Sequence, residues 1–269
     1  MQKIIRFTIL VFGGFFVLLA SCSDVAITER RQLNLVPDTI MNSMSLQSYQ
    51  EFISQNKMSP NTSQVEMVKR VGYKIQKAVE KYCAENNLSS RLKGYHWEFN
   101  LIEDNLVNAW AMPGGKVVVY TGLLPVAQGD AGLAVVMGHE IAHVIARHGS
   151  ERMTQGLIVD LGGKGLSWAL KERPAVTQNL FMKSYSVGAT YGVLLPYSRT
   201  HESEADRMGL IFMAMAGYDP HEAIGFWQRM AAAKDKDAIP PEFLSTHPAD
   251  ETRIRKIKTQ IPEALKYCQ

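Results

Sequence analysis

Cysteine is scarce: the chain has 3 in 269 residues, too few for a disulfide scaffold to stand in for a hydrophobic core. None of the three has the spacing of a structural zinc site. Charge of one sign is also missing. The formal net charge is +3, two of which come from Lys3 and Arg6, and no Lys/Arg tract gathers the rest. That excludes the basic surface of a nucleic-acid binder. Beyond residue 20 no apolar run reaches the roughly 20 residues that span a bilayer. Internal repeats and low-complexity tracts are absent, which excludes solenoids and long disordered linkers. What remains is an ordinary apolar fraction of 46%, enough for one domain with a substantial core.

The N-terminus carries a targeting pattern. Lys3 and Arg6 precede an apolar run from Phe7 to Ala20, too short for a comfortable membrane span. The run ends in Leu19-Ala20-Ser21-Cys22, which resembles a bacterial lipobox. Residues 1–21 are therefore read as a lipoprotein signal peptide and Cys22 as the lipidated mature N-terminus. Ser23 after that cysteine is compatible with the outer membrane. Residues 22–37, polar and closed by Pro37, read as a tether, and 38–269 as a single domain.

Along that domain, Asp38 to about Lys57 is predicted helical, with Asp38 as N-cap and a break at Ser59-Pro60-Asn61. Val65, Val68, Gly72, Ile75, Val79 and Tyr82 recur at alternating three and four, the stripe of an amphipathic helix. Tyr95–Leu101 alternates as a half-buried strand, with His96 on its polar face. Val107–Met112 and Lys116–Tyr120 read as two more strands about a Pro113-Gly114-Gly115 turn, and helical patterns dominate from Leu123 onward. The expected fold is α+β, mainly helical, with one small β-sheet. Asn108-Ala109-Trp110 is either an edge strand able to pair with an extended peptide or an ordinary core strand. Cys83 and Cys268 are either bridged or free thiols, since sequence does not give their separation.

Residues 139–143 read His-Glu-Ile-Ala-His. At about 3.6 residues per turn, two histidines four apart share one helix face and can hold one Zn²⁺, and the glutamate between them can act on a water there. Chance supplies roughly 0.01 such matches in a chain of this composition. The surrounding Ala131–Ile145 segment is almost wholly apolar, so the helix is expected to be buried, where polar side chains need partners. Catalytic zinc takes three protein ligands. In Arg199–Gly209, Glu202 and Asp206 lie four apart: Glu202 is the expected third ligand, and Asp206 accepts the remaining N–H of a zinc histidine. His201 is the rival ligand. Glu204 faces away toward solvent or a salt bridge, and His148, nine residues from His139, falls on the opposite helix face.

His-Glu-x-x-His followed by Glu-x-x-x-Asp is the gluzincin pattern. Together with Asn108-Ala109-Trp110, Pro113-Gly114-Gly115, Thr121–Leu124, Ser198-Arg199, Glu204-Ala205-Asp206 and His247-Pro248, the chain resembles the zinc metallopeptidase family of CaaX prenyl endopeptidases and HtpX. It is most similar to the exported lipoprotein branch of BepA-, LoiP- and Oma-like proteases, over roughly residues 28–259, Arg30–Leu35 included. The resemblance implies a zincin-like domain in which one Zn²⁺ sits on His139, His143 and Glu202 and Glu140 is the general base. It also implies a His-Pro and an Arg six residues on at the active site, here His247 and Arg253. His247 would then be an oxyanion donor backed by Arg253, or a fourth ligand that keeps the enzyme latent. The implied substrates are misfolded or unassembled envelope proteins, the alternative being a lipoprotein chaperone with a latent zinc site. The membrane is reached through the lipid, on the periplasmic side, and nucleic acid is not a partner. Glycine-rich apolar runs at 156–170 and 187–196 are either a lid over the cleft or plain core.

Overall fold

The computed structural model describes residues 22–161, 174–185, 198–236 and 242–268. A hairpin of β1 (Cys22–Asp24) and β2 (Arg31–Leu33) is followed by two long helices, α1 (Asp38–Gln55) and α2 (Thr62–Glu85). Next come β3 (Glu98–Ile102), β4 (Ala109–Met112) and β5 (Lys116–Tyr120). The rest of the described chain is helical: α3 (Leu124–Ala127), α4 (Asp130–Ile145), α5 (His148–Leu161), α6 (Pro174–Ser184), α7 (Arg199–Met215), α8 (Glu222–Lys236), α9 (Glu242–Thr246) and α10 (Glu251–Ala264). The class is α+β and mainly helical, as expected.

The three-stranded sheet has the order β3-β5-β4, with β3 parallel and β4 antiparallel to β5. β4 is thus an edge strand. Trp110 is nonetheless buried, edge-on to Phe52, with its Nε1–H donating to the Tyr120 hydroxyl at 3.3 Å. Among the described residues the segment is thus both at the sheet edge and part of the core. The β4–β5 turn uses Gly114 and Gly115 at φ +80° and +81°, a region that costs other residues strain. The first strand starts later than its alternation implies: Tyr95–Trp97 lie outside the sheet, and pairing begins at Glu98 opposite Lys116.

α2 forms where the apolar stripe predicts it. The Asn61 side chain caps it by accepting the Gln64 N–H, and Val68, Val71, Ile75, Val79 and Tyr82 are buried. α4 is buried along nearly its whole length, from Gly132 to Ile145, as a helix apolar on all sides must be. It packs between β4 on one side and α7 on the other. The crossing with α7 is close because glycine meets glycine: a Cβ on Gly209 would lie 2.9 Å from the His139 backbone nitrogen, and one on Gly138 would lie 3.0 Å from the Gly209 carbonyl oxygen. The backbones can touch only without those side chains, and this sets the distance between the two helices that carry the motifs.

The tether and the Asp38 cap are corrected, and the open choice for the two cysteines is resolved. Residues 22–37 are not a loose tether: they fold into the hairpin, with Val25, Ala26 and Val36 buried. The polar residues that suggested solvation find partners inside the domain; Gln32, itself buried, donates to the Ala146 carbonyl at 2.9 Å. Nor are Cys83 and Cys268 bridged. Both are free, because Cys83 faces the core from α2 while Cys268 lies exposed. Asp38 opens α1, but Pro37 is the capping position and Asp38 instead pairs with Arg147. The signal segment 1–21 and the run 187–196 lie outside the described residues, as does most of 156–170. Among the described residues no helix is long and apolar enough to cross a membrane.

Candidate metal centre

Four side chains from three parts of the chain converge beside α4. His139 and His143 come from successive turns of that helix, Glu202 from the first turn of α7, and His247 from the residue after α9. One ligand atom from each lies within 4.8 Å of all the others, and all four residues are buried. The two Nε2 atoms of His139 and His143 are 3.0 Å apart, and His139 Nε2 is 3.2 Å from His247 Nδ1. Glu202 Oε1 lies 2.9 Å from His247 Nδ1 and 3.3 Å from His143 Nε2.

These spacings fit a metal. Four donors at about 2.0–2.1 Å from a tetrahedral zinc stand roughly 3.3 Å from one another. His139 Nδ1 lies 3.0 Å from Asp206 Oδ1, and a carboxylate only accepts. His139 Nδ1 therefore donates to Asp206, and Nε2 is the ring atom that faces the cluster. A cation seated among these buried donors would give each of them a partner. Asp206, as expected, is the residue that fixes this ring.

Arg253 holds the carboxylates in turn. Its Nε and Nη2 donate to Asp206 at 2.9 and 2.8 Å, and its Nη1 lies 2.9 Å from Glu202 Oε2. Its guanidinium also covers the Trp227 ring, 3.4 Å from the centroid, and Phe243 stacks on His247 at 4.5 Å. These contacts close the cluster from the α9–α10 side. Arg253 is engaged with Asp206 and Glu202, which makes it a support for the ligands. Asn108 is buried, its side chain accepting the next residue's N–H at 2.8 Å, so only the backbone of that segment is presented at the sheet edge.

The electrostatics separate the groups. Burial would raise the Glu202 carboxyl, but His247 and Arg253 hold it well below the usual carboxylate range. Burial likewise opposes ionisation of Asp206, and Arg253 with His139 outweighs it, so its pKa is lowered. Glu140 goes the other way: burial raises its pKa, only partly countered by His247 and His139. Its Oε1 is buried without a hydrogen bond, and His247 Nε2 is 3.5 Å away. A carboxylate made more basic by burial, beside a metal cluster and not committed to a structural bond, has the properties of a proton acceptor.

Of three neighbours read from the sequence, one was misplaced, one has its expected salt bridge inside the protein, and one stays out of the ligand cluster as the preference for Glu202 implied. His148 is not on the far side: α4 stops at Ile145, Arg147 takes φ +61°, and a new helix starts at His148, so counting 100° per residue across the break fails. His148 is fully buried, with Nδ1 2.9 Å from His143 Nδ1. Glu204 is buried too, 3.0 Å from His148 Nε2 and 2.9 Å from Arg30 Nε, so its salt bridge is internal. His201 stacks on His148 at 4.4 Å and meets Glu151 at 3.0 Å; it lies outside the ligand cluster. The only sequence signal for Arg30 was its place in the Arg30–Leu35 string.

A buried helix bearing paired histidines, a carboxylate from a second helix and a free general base define a metal-dependent hydrolase. Comparison with known proteins makes the class specific. The chain matches Peptidase family M48 over residues 71–261. It is 33% identical to the mitochondrial metalloendopeptidase OMA1 of Schizosaccharomyces pombe over 96% of its own length and 72% of the relative's. It is 32% identical to the human metalloendopeptidase OMA1 over 64% of its length, and 37% identical to the putative beta-barrel assembly-enhancing protease of Vibrio cholerae over 58%, and spans 33% of each of those two longer proteins. The chain belongs to Peptidase family M48 and is a metalloendopeptidase.

Proposed function

We propose that this chain is a zinc endopeptidase of the cell envelope, lipid-anchored through Cys22 on the periplasmic side of the outer membrane, that cleaves misfolded or unassembled exported proteins. The observation that carries the catalytic part is the buried cluster of His139, His143 and Glu202 at zinc-like spacing with Glu140 beside it. The lipobox at Cys22 and the similarity to an assembly-enhancing protease favour the envelope over the organelle named for the OMA1 relatives.

His139, His143 and Glu202 hold the metal. When bound, zinc polarises the peptide carbonyl and makes water acidic enough to lose a proton near neutral pH. Glu140, its basicity raised by burial, takes that proton and delivers it to the departing amine. Asp206 keeps His139 in the tautomer that ligates, and Arg253 holds Asp206 and Glu202 in place. The outer edge of β4 is where an extended substrate would add as a further strand.

A second reading has specific support: His247 occupies the fourth corner of the cluster, 3.2 Å from His139 Nε2 and 2.9 Å from Glu202 Oε1, which favours a latent site with His247 as fourth ligand. Cleavage of unfolded casein by wild type, Glu140→Gln and a chelator-treated sample tests the main reading. Wild-type cleavage lost in the other two supports it, and equal activity in all three removes it. His247→Ala separates the two roles of that residue: activity rises if His247 is a latch and falls if it stabilises the oxyanion.

A further inference from the structure

We propose that Arg30, Glu204 and His148 form a positioning arm for His143, fixing which ring nitrogen His143 presents to the metal cluster. The inference rests on the reading of His143 as a metal ligand. His139 has its orienting partner in Asp206, which Arg253 clamps. The His143 Nδ1 meets another imidazole, His148, at 2.9 Å. Two ring nitrogens at that distance share one proton, and which ring carries it decides whether His143 Nε2 is a lone pair or an N–H.

Glu204 settles the direction. Its Oε2 lies 3.0 Å from His148 Nε2, and a carboxylate accepts, so His148 Nε2 donates. A neutral His148 then has only a lone pair at Nδ1, which must accept from His143 Nδ1–H. His143 Nε2 is left as a lone pair, and it is this atom that lies 3.0 Å from His139 Nε2 inside the cluster. The reverse orientation would turn an N–H toward the other donors and bar a cation.

Glu204 can hold this orientation because it is itself held. Arg30 Nε donates to Glu204 Oε1 at 2.9 Å and Nη2 to Oε2 at 3.1 Å, while the Thr28 hydroxyl donates to Oε1 at 2.8 Å. The other side of the Arg30 fork binds Glu151 at 3.0 and 2.7 Å, and Glu151 meets His201, which stacks on His148. Thr28 and Arg30 belong to the N-terminal hairpin. That hairpin, the segment that follows Cys22, is therefore a structural extension of the metal site.

The test uses the full folded protein. Nitrogen NMR of the metal-free form reads the His143 tautomer, and competition with a chromophoric chelator reads zinc affinity. Wild type should show the Nδ1–H tautomer. His148→Phe and Arg30→Ala should show a mixed or reversed one and bind zinc about 10- to 100-fold more weakly, the usual effect of losing a ligand's orienting partner. His148→Gln, which keeps one donor and one acceptor, should recover most of the affinity. If His148→Phe does not fold, Arg30→Ala decides. Either variant keeping both the wild-type tautomer and the wild-type affinity overturns the arm. Wild-type protein that fails to bind zinc would refute the metal reading instead, and the tautomer of the metal-free protein would still decide the arm.

Discussion

The closest approach in the structure bearing on the metal site is the crossing of α4 and α7 at Gly138 and Gly209, and Gly209→Ala perturbs it directly. The added methyl would sit 2.9 Å from the His139 backbone nitrogen, 3.0 Å from the Gly138 carbonyl carbon and 3.1 Å from the His139 Cα. All three are main-chain atoms, so no side chain can swing aside. Restoring an ordinary separation near 3.5 Å requires the helices to part by roughly 0.5 Å. Overpacking of this kind costs about 1–3 kcal/mol, and for a chain of this size each kcal/mol lowers Tm by about 2–4 °C. The same displacement moves Glu202 and Asp206, both on α7, away from His139. A shift of about 1 Å costs about 100-fold in a positioned reaction, so half of it predicts about tenfold in turnover. Calorimetry of the metal-free protein and casein cleavage by the zinc form measure the two effects. Gly225→Ala is the control: on α8 its methyl meets side-chain ends rather than backbone, Arg229 Nη1 at 3.1 Å and Glu222 Oε1 at 4.0 Å, and the helix-propensity gain should leave stability equal or up to about 1 kcal/mol higher. A Gly209→Ala protein with wild-type Tm and turnover would refute the claim that this crossing sets the site.

Two further outcomes follow from the same structure. The Glu151 and Glu204 carboxyls are both held at about 2 against an ordinary 4.5: burial opposes this, but hydrogen bonds from His201 and Arg30 to Glu151, and from His148 and Arg30 to Glu204, outweigh it. Because the folded values are depressed, the stability they contribute is present above about 4.5 and is lost as pH falls through about 2. Urea midpoints of metal-free wild type and Arg30→Ala should therefore differ most near neutrality and converge toward pH 2; a gap that does not change with pH would contradict the linkage. Separately, Cys83 and Cys268 are free. Tm in reducing and non-reducing buffer should then be equal, and a drop on reduction would restore the bridge.

What could be read from sequence divides along a physical line. His139, Glu140 and His143 were legible because helix geometry alone puts positions four apart on one face, and the apolar neighbours declared that face buried. Glu202 and Asp206 were legible for the same reason, one helix later. The sheet was legible in its strands but not in its order, since β3-β5-β4 depends on a parallel pairing across an intervening strand. Illegible were the residues whose neighbours are set by distant chain. Arg30 meets Glu204 across 174 positions, and no local period reports such a contact. His148 was misplaced by a single residue, Arg147, whose left-handed conformation breaks a helix that the pattern continues through.

His247 shows the limit from the other side. The sequence supplied a His-Pro with two opposed roles and no means to choose, because its position depends on how α9 and α10 seat against α4. In the structure Phe243 stacks on the ring, Arg253 and Trp227 lie behind it, and Nδ1 faces the other donors at 2.9 and 3.2 Å. An oxyanion donor must point at the space where substrate will sit. On the latent reading proposed above, a ring turned into the ligand cluster frees that space only once α9 moves, and His247→Ala should raise casein cleavage; on the oxyanion reading the same substitution should lower it.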